Sequence, residues 1–334
     1  MTTTRSRVWR DGKEVARDFP FEQISDHLAQ KDELTWVDIC APDHELLENL
    51  AGELSLEPLA VEDALARIER PKALRYASHM FFTVYAAEID TDAADDPADG
   101  VADRVMMHKV SAFIFHNGVI TVRSPEFDID DVLQRWEDNS DLLRYGVGAL
   151  THGLLDAVVD SHFTAVQVLD DAIEDLEDVL FDESAVGNRV QRATYRARKD
   201  LVDLRRIVLP MREVVNGVLR HRRDENAPRE LDASYDDLYD HVLRVTEWTE
   251  SLRDMVSALF ETNLSLQDSR LNNVMKKLTS WAAIIAVPTA VTGYFGQNVP
   301  YPGFDQWWGF LLSSGVIVLL GAILYVVFRR KNWL

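Results

Sequence analysis

Two stretches near the C-terminus decide most of what this chain can fold into. Leu278 to Phe304 holds no charged side chain, and Trp307 to Phe328 again holds none. About 20 helical residues, rising roughly 1.5 Å each, cross a hydrocarbon layer of about 30 Å, so each run is long enough to span a bilayer. Lys276 and Lys277 precede the first run, Arg329, Arg330 and Lys331 follow the second, and the connecting segment Gln297–Gln306 holds only Asp305. Positive charge concentrates on the cytoplasmic side of a membrane, so both termini are expected inside and the connecting loop outside. The expected layout is a multi-pass protein of the cell membrane. Its first span runs over about 278–297, its outer loop over 298–306, its second span over about 307–328 and its cytoplasmic tail over 329–334. Tyr301, Trp307 and Trp308 would lie in the outer aromatic belt and Trp333 near the inner one. Residues 1–20 mix charges with apolar residues and contain no apolar run, so no cleaved leader is expected.

The remainder is acidic: 56 Asp and Glu against 35 Lys and Arg leave a formal charge of -21. Neutralising phosphates needs a concentrated basic surface, so nucleic acid is not an expected partner. Cations are. A single cysteine, Cys40, rules out an internal disulfide framework and a cysteine-rich zinc site. No Gly-rich loop ends in Lys and Ser/Thr, so no nucleotide partner is expected. No His-Glu-x-x-His or Gly-x-Ser-x-Gly occurs, and the nine His are scattered, so the chain does not read as an enzyme.

Residues 1–125 read as an α/β unit. Strand-like runs cover Thr35–Ile39, Met80–Ile89, Val105–Phe115 and Val119–Arg123, with His116-Asn117-Gly118 as a hairpin turn. Within the third run, Met106-Met107-His108 reads as core with an edge polar residue. Thr91–Asp103 is an acidic segment without the alternating Asp spacing and central Gly of a calcium loop, and reads as a solvated connector. Residues 126–277 read as long helices with apolar residues at helical spacing. Asp156–Glu183 holds ten acidic residues and no Lys or Arg, whereas Arg189–Arg223 holds eleven basic and three acidic ones. A turn near Ser184–Asn188 would pair these segments as an antiparallel hairpin with opposite charges facing. After Asn226-Ala227-Pro228 no proline occurs until Pro288, so one helix over about 231–295 would be roughly 95 Å long. The third unit, 278–334, is the membrane portion.

Along that helix Asn272, Met275, Thr279, Ala282, Ala286, Thr289 and Gly293 recur every three or four residues as a stripe of mostly small or polar residues. Trp281, Ile284, Ile285, Val287 and Val291 lie elsewhere around it. Two uses compete for the stripe: close helix packing, and the wall of an aqueous pore around a symmetry axis, where polar groups face water rather than lipid. One helix cannot enclose a pore, so the second use demands a closed oligomer. A divalent ion moving inward needs no nucleotide, because an inside-negative potential supplies roughly 4.6 kcal/mol per 100 mV.

The first span ends in Thr292-Gly293-Tyr294-Phe295-Gly296-Gln297-Asn298-Val299-Pro300. With two C-terminal spans, both termini inside and the long preceding helix, this resembles the CorA family of divalent-cation transporters, whose signature there is Gly-Met-Asn. Arg70-Pro71-Lys72, Leu155-Asp156-Ala157-Val158-Val159-Asp160, Tyr239-Asp240-His241, Asn273-Val274-Met275-Lys276 and the basic tail with Trp333-Leu334 also look like family landmarks in the expected order. The resemblance implies an α+β cytoplasmic domain, long helices and two transmembrane helices, assembled as a homopentameric funnel in the lipid bilayer. It implies influx of Mg²⁺, gated by cytoplasmic Mg²⁺. The first span would line the pore, and Gly296, Gln297 and Asn298 would form its entry. Gly296 lets the backbone leave the helix, and five Asn298 amides offer neutral oxygens to a still hydrated Mg²⁺. By the same resemblance Asp90 and Asp237 fall at an inter-subunit regulatory metal site, with Glu88, Asp171 and Asp175 as secondary candidates. Gln297 stands where the family has Met, Val287 replaces the Met before the mid-span proline, and the outer loop has Tyr301-Pro302-Gly303 and Asp305 in place of the usual acidic-hydrophobic segment. A Zn²⁺, Co²⁺ or Ni²⁺ transporter of the ZntB type, with proton coupling, is therefore the alternative. A membrane-anchored metal-binding protein is the remote one. No His or Cys lies on the stripe, which leans the expectation toward Mg²⁺.

Overall fold

The computed structural model describes residues 2–90, 104–181, 187–297 and 299–334. Thr91–Asp103, most of the expected helix–helix turn at 182–186, and Asn298 lie outside the described residues. Contacts divide the chain into two compact units, Met1–Ala258 and Leu259–Leu334.

The first unit is built on a seven-stranded sheet of β1 (Thr3–Arg10), β2 (Lys13–Arg17), β3 (Leu34–Cys40), β4 (Lys72–Arg75), β5 (Met80–Ile89), β6 (Val105–Ile114) and β7 (Gly118–Arg123). Their spatial order is β2-β1-β3-β7-β6-β5-β4. Only β3 and β7 pair in parallel; the other neighbours are antiparallel, and β6 and β7 form the expected hairpin. The four central strands match the four strand-like runs to within a residue or so, because their apolar residues are buried on both faces and stand out as continuous runs.

Side-chain alternation sends each strand into two cores. Phe81, Phe113, Val37, Ile39 and Ile120 pack under α1 (Ile24–Ala29), α2 (His44–Leu54) and α3 (Pro58–Leu65). Phe82, Val84, Val110, Ala112 and Trp36 face α4 (Ile129–Asp138), α5 (Val147–Phe181), α6 (Gly187–Asp224) and the start of α7 (Asp232–Phe295). Residues beyond 125 therefore complete the sheet's second core. Local chemistry sets the ends: Asp43 caps α2 by accepting from the Leu46 amide at 2.7 Å, Pro58 opens α3, and Asp128 caps α4 by accepting from Asp130 N at 2.9 Å. Across the parallel pair, buried Asp38 accepts from Arg123 Nε at 3.0 Å and from Thr121 Oγ1 at 2.8 Å.

One expectation needs correction, and a second is extended. Met106 and Met107 are exposed at 37% and 41%, and His108 Nε2 lies 2.9 Å from Glu88 Oε2. Only the second half of β6, from Lys109 on, is continuously buried, so Met106 and Met107 lie on the surface and not in the core. Helices α5 and α6 do pack together, but the acidic Asp156 and Asp160 of α5 pair with Arg135 of α4, and Arg205 of α6 pairs with Glu250 of α7. The charges of both helices thus reach partners on further helices.

The second unit contains the end of α7 and α8 (Trp307–Arg330), both long and apolar enough to cross a membrane. Helix α7 spans 64 residues and continues through Pro288 to Phe295. Thr292 Oγ1 donates to the Pro288 carbonyl at 2.8 Å.

Candidate metal and pore sites

On α7 the stripe residues Asn272, Met275, Thr279, Ala282, Ala286, Thr289 and Gly293 are all exposed in the single chain. Ser280, Ala283, Ile284, Val287, Pro288 and Val291 alternate with them as a buried or half-buried face. On α8, Ser313, Ser314, Ile317, Gly321, Leu324 and Phe328 form a half-buried stripe at helical spacing, with small residues that permit close helix approach. The close-packed face of α7 is therefore a different face from the small-and-polar stripe.

Helix α7 ends at Phe295, and Gly296 N donates to the Thr292 carbonyl at 2.8 Å. A Cβ on Gly296 would stand 2.9 Å from that carbonyl oxygen, so only glycine turns the chain out here without a shift. Gln297 is exposed, and Asn298 is outside the described residues. Tyr301 folds back to donate its hydroxyl to the Phe295 carbonyl at 2.6 Å, and its ring contacts Tyr294, Phe295 and Phe304. An aromatic plug fastens this loop to the helix end in place of the acidic segment expected from the family.

The residues expected at the inter-subunit metal site lie on several elements of the first unit. Asp90 follows β5, its amide donating to the Arg104 carbonyl at 2.9 Å. Glu88 lies opposite Met106 and pairs with His108. Asp171 and Asp175 are exposed on α5, Asp171 accepting from Gln167 at 2.9 Å. Asp237 is exposed on α7, with its Oδ2 3.8 Å from His241 Nε2 one turn on.

A further grouping within the single chain is Asp156, Asp160 and His241. Among the described residues these three offer ligand atoms within 4.8 Å of one another. Asp156 and Asp160 share one face of α5 because they are four residues apart, and His241 reaches them from α7. The His241 ring stands edge-on to Phe163 at 5.7 Å, and its Nδ1 is buried without a hydrogen-bond partner. Arg135 of α4 closes the group: Nη1 lies 2.9 Å from Asp156 Oδ2 and 2.7 Å from Asp160 Oδ2, while Nε donates to Asp131 at 2.9 Å. Burial alone would lower the Arg135 pKa, but the hydrogen bonds and charges of Asp160 and Asp131 outweigh it, so the guanidinium is held above its ordinary value. Two carboxylates and an imidazole can bind a divalent cation, the oxygens suiting Mg²⁺ and the nitrogen favouring Co²⁺, Ni²⁺ or Zn²⁺. Both halves of this cluster lie in the segments Leu155–Asp160 and Tyr239–His241. The signal that could have found it was the i, i+4 spacing of two Asp on a helix face that is otherwise apolar.

A family model described as a CorA-like Mg²⁺ transporter protein matches residues 31–330. The chain belongs to that family. Its helices and sheet carry the family's fold: the complete structure of the CorA magnesium transporter from Methanocaldococcus jannaschii superposes with a TM-score of 0.74 at 21% identity, covering 99% of this chain and 98% of that one. The cobalt/magnesium transport protein CorA of Thermotoga maritima is 28% identical over 331 residues, covering 96% of this chain and 90% of that protein. The putative metal ion transporter YfjQ of Bacillus subtilis is 27% identical over 302 residues, covering 89% of each. The family is one of transporters, so the expected cation-transport class stands.

Proposed function

We propose that this protein carries divalent cations, Mg²⁺ first, inward across the cell membrane through a pore formed by α7 of five subunits, with both termini in the cytoplasm. The observation that carries this reading is the exposed stripe from Asn272 to Gly293, set on a helix whose bulky residues Trp281, Ile284, Ile285, Val287 and Val291 lie on other faces. In a closed ring each stripe residue repeats around the axis, and Thr279 and Thr289 supply hydroxyl oxygens to a hydrated ion. Gly296, Gln297 and Asn298 form the entry, where neutral oxygens hydrogen-bond to the ion's water without holding it as tightly as carboxylates would. The inside-negative potential supplies the drive.

Cytoplasmic metal closes the pore in this reading. Asp90 and Asp237 meet across subunits, and Asp156, Asp160 and His241 bind a second ion within one subunit, one helical turn from Asp237. An ion shared by carboxylates offsets their repulsion and favours the closed state as far as it binds that state better than the open one. Flux into liposomes under an imposed potential tests the reading, with Mg²⁺, Zn²⁺, Co²⁺ and Ni²⁺ compared. Mg²⁺ uptake that weakens in Asn298→Ala, and whose inhibition by internal Mg²⁺ weakens in Asp90→Ala with Asp237→Ala, supports it. Zn²⁺ uptake that follows an imposed pH gradient and not the potential would replace it with the proton-coupled alternative, which the imidazole of His241 favours at the cytoplasmic site.

A further inference from the structure

We propose that Arg135 is a tethered competitor of the metal at Asp156, Asp160 and His241, and that its release sets the concentration at which that site fills. The proposal rests on the reading of those three residues as a metal site. A single guanidinium nitrogen, Nη1, lies within 3 Å of one oxygen from each carboxylate, the position from which a cation would engage both. A divalent ion there and the Arg135 charge would stand a few ångströms apart, and like charges at that range repel strongly even at a partly hydrated site. The two occupants therefore exclude each other.

The arginine has somewhere to go. Its Nε already holds Asp131, four residues back on its own helix and exposed, so a change of side-chain rotamer moves the fork off α5 while keeping one carboxylate partner. All four groups are only partly buried, with side-chain exposures of 27% for Arg135, 28% for Asp156, 46% for Asp160 and 29% for His241. Water can thus solvate the released guanidinium. The consequence is an affinity penalty: if the site is free of Arg135 in one molecule in ten to one in a hundred, the apparent dissociation constant rises by about tenfold to a hundredfold. A sensor of an abundant ion needs such weakening, because an undiluted two-carboxylate, one-imidazole site would saturate with trace metals and cease to report. The arginine also separates ions, since it costs every divalent cation the same step while His241 rewards only those that accept nitrogen.

The test uses the full-length protein in detergent with Co²⁺ as probe, its visible absorption reporting nitrogen coordination and its titration giving the affinity. Wild type, Arg135→Gln, Arg135→Lys, Asp156→Asn and the double variant Arg135→Gln with Asp156→Asn are compared. The expected result is binding tightened about tenfold or more in Arg135→Gln, an intermediate value in Arg135→Lys, which keeps the charge without the fork, and loss of the absorption band in both variants carrying Asp156→Asn. Unchanged or weaker binding in both Arg135 variants, with the band still lost in Asp156→Asn, overturns the competitor and leaves the metal site standing. A band that survives Asp156→Asn overturns the site and the competitor together. Arg135→Lys keeps the outcome readable if Arg135→Gln, with its carboxylates left unpaired, does not fold.

Discussion

The two units bury and expose the same kinds of residue in opposite ways. In the first, Trp36, Phe81, Phe82, Phe113 and Ile120 are at 0% exposure, in cores on both faces of one sheet. In the second, Leu278, Ile285, Trp307, Phe310 and Val318 are 63%, 64%, 75%, 72% and 71% exposed. A chain cannot leave that much apolar surface in water, since each such side chain costs about 1.5–3 kcal/mol to keep wet. The first unit supplies its own apolar solvent; the second needs one from outside the chain, as a lipid bilayer provides. The difference also explains where polarity is allowed. The buried carboxylate of the first unit, Asp38, is paired with Arg123 and Thr121, whereas the stripe residues on α7 are exposed in the single chain.

The largest expected effect breaks the first side of this contrast. Asp38→Ala leaves Arg123 charged and buried, and should lower the stability of the first unit by about 3–5 kcal/mol, measured by chemical denaturation in detergent. A loss under about 1 kcal/mol would mean the pair is solvated. Charge placed on the apolar surface of each unit sharpens the contrast directly. Val318→Asp should cost about 2.5–3.5 kcal/mol of membrane insertion and deplete the protein from the membrane fraction. Ile68→Asp, at a position 84% exposed in the first unit, should change stability by no more than about 0.5 kcal/mol. Equal effects at the two positions would remove the distinction.

A pH effect of similar size belongs to the first unit alone. Burial holds the His162 imidazole down at about 4, against 6.5 in the free chain, with Nε2 bonded to the Tyr85 carbonyl at 2.8 Å. The unfolded chain therefore binds the proton more tightly. The stability His162 contributes is complete above pH 6.5 and is lost as pH falls through 6.5 toward 4, by about 3 kcal/mol in all. His162→Gln should flatten that part of the profile in a thermal-unfolding series. A smaller loss is expected in the loop between α7 and α8: Gly303 has φ +90°, and a Cβ would stand 2.9 Å from Trp308, so Gly303→Ala should cost about 1–2 kcal/mol and lower the flux by loosening the loop.

Much of this was legible in the sequence, for reasons that differ by residue. The central strands and the 64-residue helix showed because their signals are long and continuous. β1, β2 and β4 did not, because Thr-Thr-Arg-Ser-Arg-Val-Trp-Arg, Lys-Glu-Val-Ala-Arg and Lys-Ala-Leu-Arg carry charge throughout, as strands toward the sheet's edges must when solvent reaches them. The stripe on α7 was legible as a period, and the structure adds that the packed face of that helix is a separate one. At the Asp156, Asp160 and His241 cluster, the resemblance drew attention to α5 at Asp171 and Asp175, and the structure adds a grouping on an earlier turn of that helix. Asp171 and Asp175 have the same spacing as Asp156 and Asp160, and which pair meets His241 depends on how α5 and α7 align, a property of packing that no local pattern encodes.

The central claim is that the α7 stripe faces an aqueous conduit for cations. Because the only cysteine, Cys40, is buried, single cysteines can be read in a Cys40→Ser background. Liposome Mg²⁺ flux is measured before and after a charged, water-soluble thiol reagent. Block at Ala282→Cys, Ala286→Cys and Thr289→Cys, with Trp281→Cys and Ile285→Cys unaffected, is the expected result. Block at Trp281→Cys and Ile285→Cys with the stripe positions silent would contradict it.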